Sequence, residues 1–181
     1  MGREIRMVPP YWKHPTDENG THIPLYKGPF SKKLADWLEG ERMWNLGFQE
    51  DWSKWPEEQL WKKRADDIGP YEEWEGPKPA RQDYMPEFEE GAATHLCMYE
   101  STTEGTPISP AFATPEELAK WLADNDASAF GSMTASYDQW LATCRSGFAP
   151  SAVMIVGGDG RNHLESGVSA ALEVKGINDD R

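Results

Sequence analysis

The alternation of apolar and polar positions is clearest in the middle of the chain. Residues 95–100, HLCMYE, place Leu96 and Met98 on one face of an extended segment and Cys97 and Tyr99 on the other. Because both faces carry side chains suited to burial, we expect a strand that lies inside a sheet rather than at its edge.

Two helices are predicted after this strand from their N-terminal signals. Thr114 and Glu117 form one capping-box pair, with Pro115 at the first helical position, and Ser136 and Gln139 form a second pair. Apolar side chains recur at helical spacing in both segments: Leu118, Trp121 and Leu122 in the first, then Tyr137, Trp140, Leu141 and Cys144 before Gly147.

The remainder of the second half has the pattern of strands. Residues 152–156 form a short apolar run that predicts a buried strand, and GGDG at 157–160 predicts a turn. Alternate apolar positions from Val168 to Val174 predict a final amphipathic strand. The order strand, helix, helix, strand, strand favours the α+β class, with a small, mostly antiparallel sheet and packed helices.

The first half is rich in tryptophan and in turn residues. A strand is predicted over residues 3–8, with Ile5 and Met7 on one face. Two helices are expected to follow and to form a hairpin. The first has Ser31 as its N-cap and stops at Gly47, and the second begins at Pro56 and carries its basic residues near its end at positions 62–64.

Residues 69–91 contain four prolines and three glycines, which exclude a long helix or strand there. This segment is therefore a candidate boundary. We expect a Trp-rich, acidic helix-and-loop region over residues 1–90 and an α+β core over residues 91–181, either as two domains or as one composite domain.

The chain is strongly acidic, with 31 acids, 18 bases and a formal net charge of -13. This balance disfavours direct nucleic-acid binding, because contacts to phosphate supply most of the affinity in such complexes. The acids are densest from Asp66 to Glu90, where nine acids meet two bases. Two interpretations stay open, a solvated surface or a surface that binds a basic partner. The candidate partner-binding residues are Asp66, Asp67, Glu72, Glu73, Trp74, Glu75, Asp83, Tyr84, Glu87, Glu89 and Glu90.

Motifs that carry known chemistry are scarce in this sequence. No nucleotide-binding loop, zinc-protease motif, serine-hydrolase elbow or CxxC pair is present. His14 and His22 lack a third metal ligand nearby in the sequence, and the two cysteines lie far apart, as expected of reduced thiols. The hydroxyl-rich run from Ser101 to Glu104, close to His95, is where a hydrolase site can be drawn, but such loops more often satisfy their own backbone. We therefore predict no catalytic residue, no metal and no cofactor.

No apolar run approaches the length of a membrane span, and the N-terminus lacks the apolar core of a signal peptide. The sequence therefore predicts a soluble protein that does not enter a membrane.

Several segments resemble a family of proteins encoded by bacteriophages and prophages. The likeness lies in REIRMVPPYWKHP, MYESTTEGTPISPAFATPEELAKWL, ASAFGSMTASYDQWL and APSAV, and it spans most of the chain. The family has no established activity, so the resemblance implies an origin and no residue roles.

Origin and charge together predict a non-enzymatic phage protein that acts in the host bacterial cytoplasm. Through its acidic surface it would bind a host or phage protein that has a basic surface and would modulate a host factor, for example as an inhibitor of a nucleic-acid-handling defence system of the CRISPR or restriction type. The alternatives are a virion or morphogenesis component and a small hydrolase-like enzyme.

Overall fold

The computed structural model describes residues 2–54, 60–65, 69–101, 105–156 and 162–171. The chain forms two compact units. The core unit contains Met1–Leu25 and Glu87–Arg181, and the insert unit contains Tyr26–Pro86. The structure has mixed helices and antiparallel sheets, so the predicted α+β class is confirmed.

The division into units differs from the expected boundary at residue 90, because the first strand pairs with the second half of the chain. Strand β1 (Gly2–Val8) runs antiparallel to β4 (His95–Glu100), with Ile5 opposite Met98. This pairing places residues 1–25 in the core unit. The tryptophan-rich remainder of the first half forms the insert unit alone.

A four-stranded sheet with the order β5-β4-β1-β6 organises the core unit, where β5 is Thr106–Pro107 and β6 is Phe148–Pro150. Strand β4 is therefore an inner strand, as its two apolar faces predicted. Helices α3 (Pro115–Asp124) and α4 (Tyr137–Ser146) supply most of the packing against one face. The buried cluster there comprises Met98, Leu118, Ala119, Leu122, Ala129, Trp140, Cys144, Ala149 and Val168.

Both helix starts agree with their capping signals. The Thr114 side chain accepts a hydrogen bond from the backbone N–H of Glu117, at 3.2 Å. Ser136 and Gln139 form the complete reciprocal capping box at the start of α4. Gly147 ends α4 in the left-handed conformation, with φ of 82°, which glycine adopts at little cost.

The C-terminal part of the core unit is a hairpin followed by a single helical turn. Strand β7 (Ala152–Val156) pairs with β8 (Asn162–Ser166), and helix α5 covers Gly167–Ala170. The predicted strand beginning at Val168 is wrong over residues 168–170, because the Ser166 side chain caps a helical turn by accepting from the Ser169 N–H. The predicted GGDG turn at 157–160, and residues 172–174, lie outside the described residues.

The insert unit begins with helix α1 (Phe30–Asn45), which ends just before Gly47 as predicted. Pro29, not Ser31, is its N-cap residue, and no side chain caps it. The predicted second helix is wrong over residues 60–63, which form strand β3 (Leu60–Lys63) and pair with β2 (Phe48–Asp51). Residues 55–59, including Pro56, lie outside the description.

The rest of the insert unit consists of short elements, as its prolines and glycines predicted. Helix α2 is Tyr71–Glu75, and single 3₁₀ turns form at Trp52–Lys54 and Arg81–Asp83. Within the described ranges, no helix combines the length and apolar character that crossing a lipid bilayer requires.

Candidate functional site

Helix α2 is held in place by two buried tryptophans of α1. The Trp44 Nε1–H donates to the carbonyl of Gly69 at 3.1 Å, and the Trp37 Nε1–H donates to the carbonyl of Gly76 at 3.2 Å. These two carbonyls lie just before and just after α2. A five-residue helix is unstable alone in water. The two indole donors therefore fix both ends of an element that could not form by itself.

Tyr71 joins α2 to α1 through its ring. Its ring centroid lies 5.3 Å from that of Trp37 and 5.7 Å from that of Trp44. Its hydroxyl lies directly over Gly40, where a Cβ would overlap it and would sit 2.6 Å from the Tyr71 Cζ. Packing therefore requires a glycine at position 40, because the absence of a side chain there allows α1 and α2 to come into contact.

The outer side of α2 presents three carboxylates and one indole to solvent. Glu72, Glu73 and Glu75 are all exposed. Trp74 is 54% exposed, although its ring centroid lies 5.6 Å from that of Trp44. None of the three carboxylates forms an ion pair with a described residue. Four of the predicted partner-binding residues are therefore brought together on one short element.

An aromatic cleft of about 20 Å³ adjoins α2. Glu50 and Glu75 contribute carboxylates to its lining, and no lysine or arginine is among the described residues that line it. Two of its rings lie largely in water, since Trp52 is 58% exposed and Phe48 is 39% exposed. The six rings of this aromatic cleft are Trp44, Phe48, Trp52, Trp61, Tyr71 and Trp74.

Asp83 and Tyr84 lie in a different environment from the one their sequence neighbours suggested. With Glu75 they line a groove of about 550 Å³ in the insert unit. Burial, and next the charge of Asp83, raise the pKa of Tyr84. The groove also contains four lysines: Lys27, Lys32, Lys33 and Lys78. This part of the predicted acidic surface is therefore mixed in charge. The sequence did not show this, because three of these lysines lie more than forty residues before Glu75, Asp83 and Tyr84.

The remaining predicted residues do not extend the α2 surface within the insert unit. Glu87, Glu89 and Glu90 are exposed, but they belong to the core unit. Asp66 and Asp67 lie outside the described residues. The run from Asp66 to Glu90 is thus contiguous in sequence and divided in the fold.

The hydroxyl-rich segment near His95 has structural partners. The Ser101 hydroxyl accepts from the Gly2 N–H at 2.7 Å and donates to the Gly2 carbonyl at 3.2 Å. Glu100 accepts from the buried Arg3 guanidinium at 2.5 Å. His95 shares a 3.0 Å hydrogen bond with Thr94 through Nδ1. Residues 102–104 lie outside the described residues.

A buried polar face of the core sheet escaped the sequence pattern. Arg6 pairs with Glu4 at 2.7 Å, donates to the Leu25 carbonyl at 2.6 Å and lies 4.4 Å from the centroid of the Tyr99 ring. Met7, predicted on the same face as Ile5, is 47% exposed. Burying a guanidinium requires such a complete set of partners, and partners distant in sequence leave no local signal.

The same face carries a hydrogen-bonded chain through Tyr99. The Trp12 Nε1–H donates to the Tyr99 hydroxyl at 3.0 Å, and that hydroxyl lies 3.2 Å from Nδ1 of His14. His14 Nε2 lies 2.6 Å from the Ile23 carbonyl, which can only accept. These contacts assign the Nε2–H tautomer, with Tyr99 donating to Nδ1. Burial lowers the pKa of His14, and the charges of the nearby His22 and Arg6 lower it further. The hydrogen bond to Ile23 acts in the opposite direction and raises the pKa.

Cys97 lines a cavity of about 460 Å³ beside His14 and Ser109, a set that suggests a nucleophile. The geometry argues otherwise, because the thiol donates to the Ser109 carbonyl at 3.1 Å and burial raises its pKa to about 11. A reactive cysteine needs a lowered pKa. Among the described residues, no group of three His, Cys, Asp or Glu side chains is arranged to hold a metal ion.

No protein-family model matches this chain, and neither the curated proteins nor the solved structures contain a significant match to it.

Proposed function

We propose that this chain is a non-enzymatic binding protein that modulates a partner protein through the outer surface of α2 and the aromatic cleft. The observation that carries the proposal is the exposure of Trp74 among the carboxylates of Glu72, Glu73 and Glu75, which form no ion pair with a described residue. Tryptophan is enriched among the few residues that contribute most of the binding energy at protein interfaces, and exposed apolar patches with a polar rim are typical of interaction sites.

The charge of this surface specifies the chemistry of the partner. Three exposed carboxylates on one short element attract a basic surface, accelerate encounter and disfavour neutral or acidic partners. The rigid attachment of α2 supports the proposal as well, because a preordered surface loses less entropy on binding.

The phage origin implied by the sequence resemblance directs the search for the partner. A phage protein that carries an acidic surface is suited to occupy a basic groove that otherwise holds nucleic acid. We therefore propose a nucleic-acid-handling host defence factor, of the CRISPR or restriction type, as the class of partner in the bacterial cytoplasm. The structural hydrogen bonds of Ser101 and Glu100 favour binding over hydrolysis.

The test is affinity capture from host cells with the full chain and two charge-reversed variants. The variant Glu72→Lys, Glu73→Lys, Glu75→Lys alters α2. The matched control, Glu87→Lys, Glu89→Lys, Glu90→Lys, makes the same change of charge in the core unit.

We expect the α2 variant to lose the partner by about tenfold or more and the control to retain it. Capture should also weaken with added salt, since the screening length falls from ~10 Å at 0.1 M to ~3 Å at 1 M. Equal loss in both variants, or no loss in the α2 variant, contradicts the proposal. A stoichiometric band of the protein in purified particles would indicate a virion component instead.

A further inference from the structure

The aromatic cleft has the chemistry of a cation site. The faces of tryptophan, tyrosine and phenylalanine rings carry negative potential and attract ammonium and guanidinium groups. Glu50 and Glu75 add carboxylates to the same lining, so both contributions have the same sign. We propose that this cleft binds the side-chain ammonium of a lysine on the partner protein. This inference rests on the proposed function and names the residue type that the α2 surface recognises.

The size of the cleft selects the ammonium group. Its volume of about 20 Å³ is close to the space that holds one water molecule. A primary ammonium is of that size, whereas a guanidinium is a larger planar group. The aliphatic stem of a lysine would lie along the exposed rings of Trp52 and Trp74, as such stems do on apolar surfaces.

The electrostatic environment of Tyr71 supports a cation. Burial is the main cause that raises the pKa of Tyr71 to about 12, and the charges of Glu75, Glu50 and Glu41 raise it further. A negative potential that disfavours the phenolate stabilises a positive group placed beside it.

The chain already uses one of these rings to hold a cation. The Arg64 guanidinium lies 5.0 Å from the centroid of the Trp44 ring, while its Nε donates to the Trp44 carbonyl at 3.0 Å. Arg64 is not among the residues that line the cleft. The same cluster therefore already binds one guanidinium outside the cleft.

The test uses three blocked tripeptides and the full-length chain labelled with ¹⁵N. Acetyl-Gly-Lys-Gly-amide is compared with the same peptide carrying acetyl-lysine, which has the stem but no charge, and with the arginine peptide. Titrations follow the indole N–H signals by NMR. We expect saturable shifts with the lysine peptide and affinity about fivefold weaker for acetyl-lysine. Equal affinity for acetyl-lysine, or tighter binding of arginine, overturns the assignment to an ammonium.

Two variants separate the cleft from general charge. Glu75→Gln removes a carboxylate that lines the cleft, and Glu39→Gln removes an exposed one from α1 that does not. We expect Glu75→Gln to weaken the lysine peptide about two- to fivefold and Glu39→Gln to leave it nearly unchanged. Equal weakening by the two variants overturns the inference.

Failure of this inference is distinguishable from failure of the proposed function. Partner capture that depends on α2, together with no binding of the lysine peptide, overturns the inference alone. Binding of the peptide without any partner that responds to α2 reversal contradicts the proposed function.

Discussion

Replacement of Gly40 by alanine tests the packing that positions α2. Two opposing effects act at this site in the middle of α1. Alanine is favoured over glycine in a helix interior by ~1 kcal/mol. The new Cβ would overlap the Tyr71 hydroxyl and lie 2.6 Å from its Cζ, and Tyr71 is confined between Trp37 and Trp44. Such overpacking costs ~1–3 kcal/mol, so we expect a net loss of about 1 kcal/mol.

The sign of this effect should reverse when the Tyr71 ring is absent. In a Tyr71→Ala background the clash disappears, and Gly40→Ala should stabilise the chain by about 1 kcal/mol through helix propensity alone. An Ala35→Gly variant, at an exposed position of the same helix, calibrates that propensity and should cost ~1 kcal/mol.

Amide hydrogen exchange of α1, measured by NMR, reports the stability of the insert unit separately from that of the core unit. Unfolding in urea, followed by circular dichroism, provides the global value. The packing argument is refuted if Gly40→Ala stabilises the wild-type chain, or if its effect is the same with and without Tyr71.

Two further predictions concern the charge state of His14 and the caps of two helices, and both are measured by urea denaturation. Because burial lowers the pKa of His14 below its usual 6.5, the unfolded chain binds a proton more readily, and stability should fall as the pH drops below about 6.5. His14→Gln should flatten this dependence between pH 7.5 and 5.5, and an unchanged slope would contradict the assigned neutral state. Ser136→Ala should cost about 1 kcal/mol through loss of its cap, whereas Ser31→Ala should change stability by less than about 0.5 kcal/mol. Equal losses at the two serines would refute the difference in capping.

Elements specified by neighbouring residues were predictable from the sequence. The start of α4 is decided by Ser136 and Gln139, three residues apart, and Gly147 ends the helix without help from distant segments. The inner position of β4 followed from its two apolar faces, because residues on both faces are buried in the core unit. In these cases local propensity and tertiary packing favour the same structure.

Elements specified by distant partners were not predictable in the same way. The basic residues at 62–64 have the pattern of a helix C-terminus, yet Lys62 and Lys63 belong to a strand that pairs with β2 across residues 52–59. Arginines such as Arg3 and Arg6 in a strand would be expected to point into solvent. Both are instead buried, with hydrogen-bond partners at residues 25, 100 and 128.

The candidate site shows the same division. The density of carboxylates was visible in the sequence, and Glu72 to Glu75 lie together because they share one helix. Their neighbours were not visible, because the rings of Phe48, Trp52 and Trp61 reach the cleft from the β2–β3 hairpin and the turn that follows β2. Charge density in the sequence therefore indicated the candidate site but not the aromatic residues that surround it.

The tryptophans of the insert unit have two different roles, and the division between them explains how the candidate site is held in place. Trp37 and Trp44 are buried and donate to the carbonyls on either side of α2, so that a helix too short to be stable alone has one orientation. Trp52 and Trp74 remain more than half exposed. A large exposed indole is unfavourable in water unless a partner covers it. The buried pair positions the element on which Trp74 would meet the proposed partner, which is why stability at Gly40 and recognition at the aromatic cleft should depend on the same ring of Tyr71.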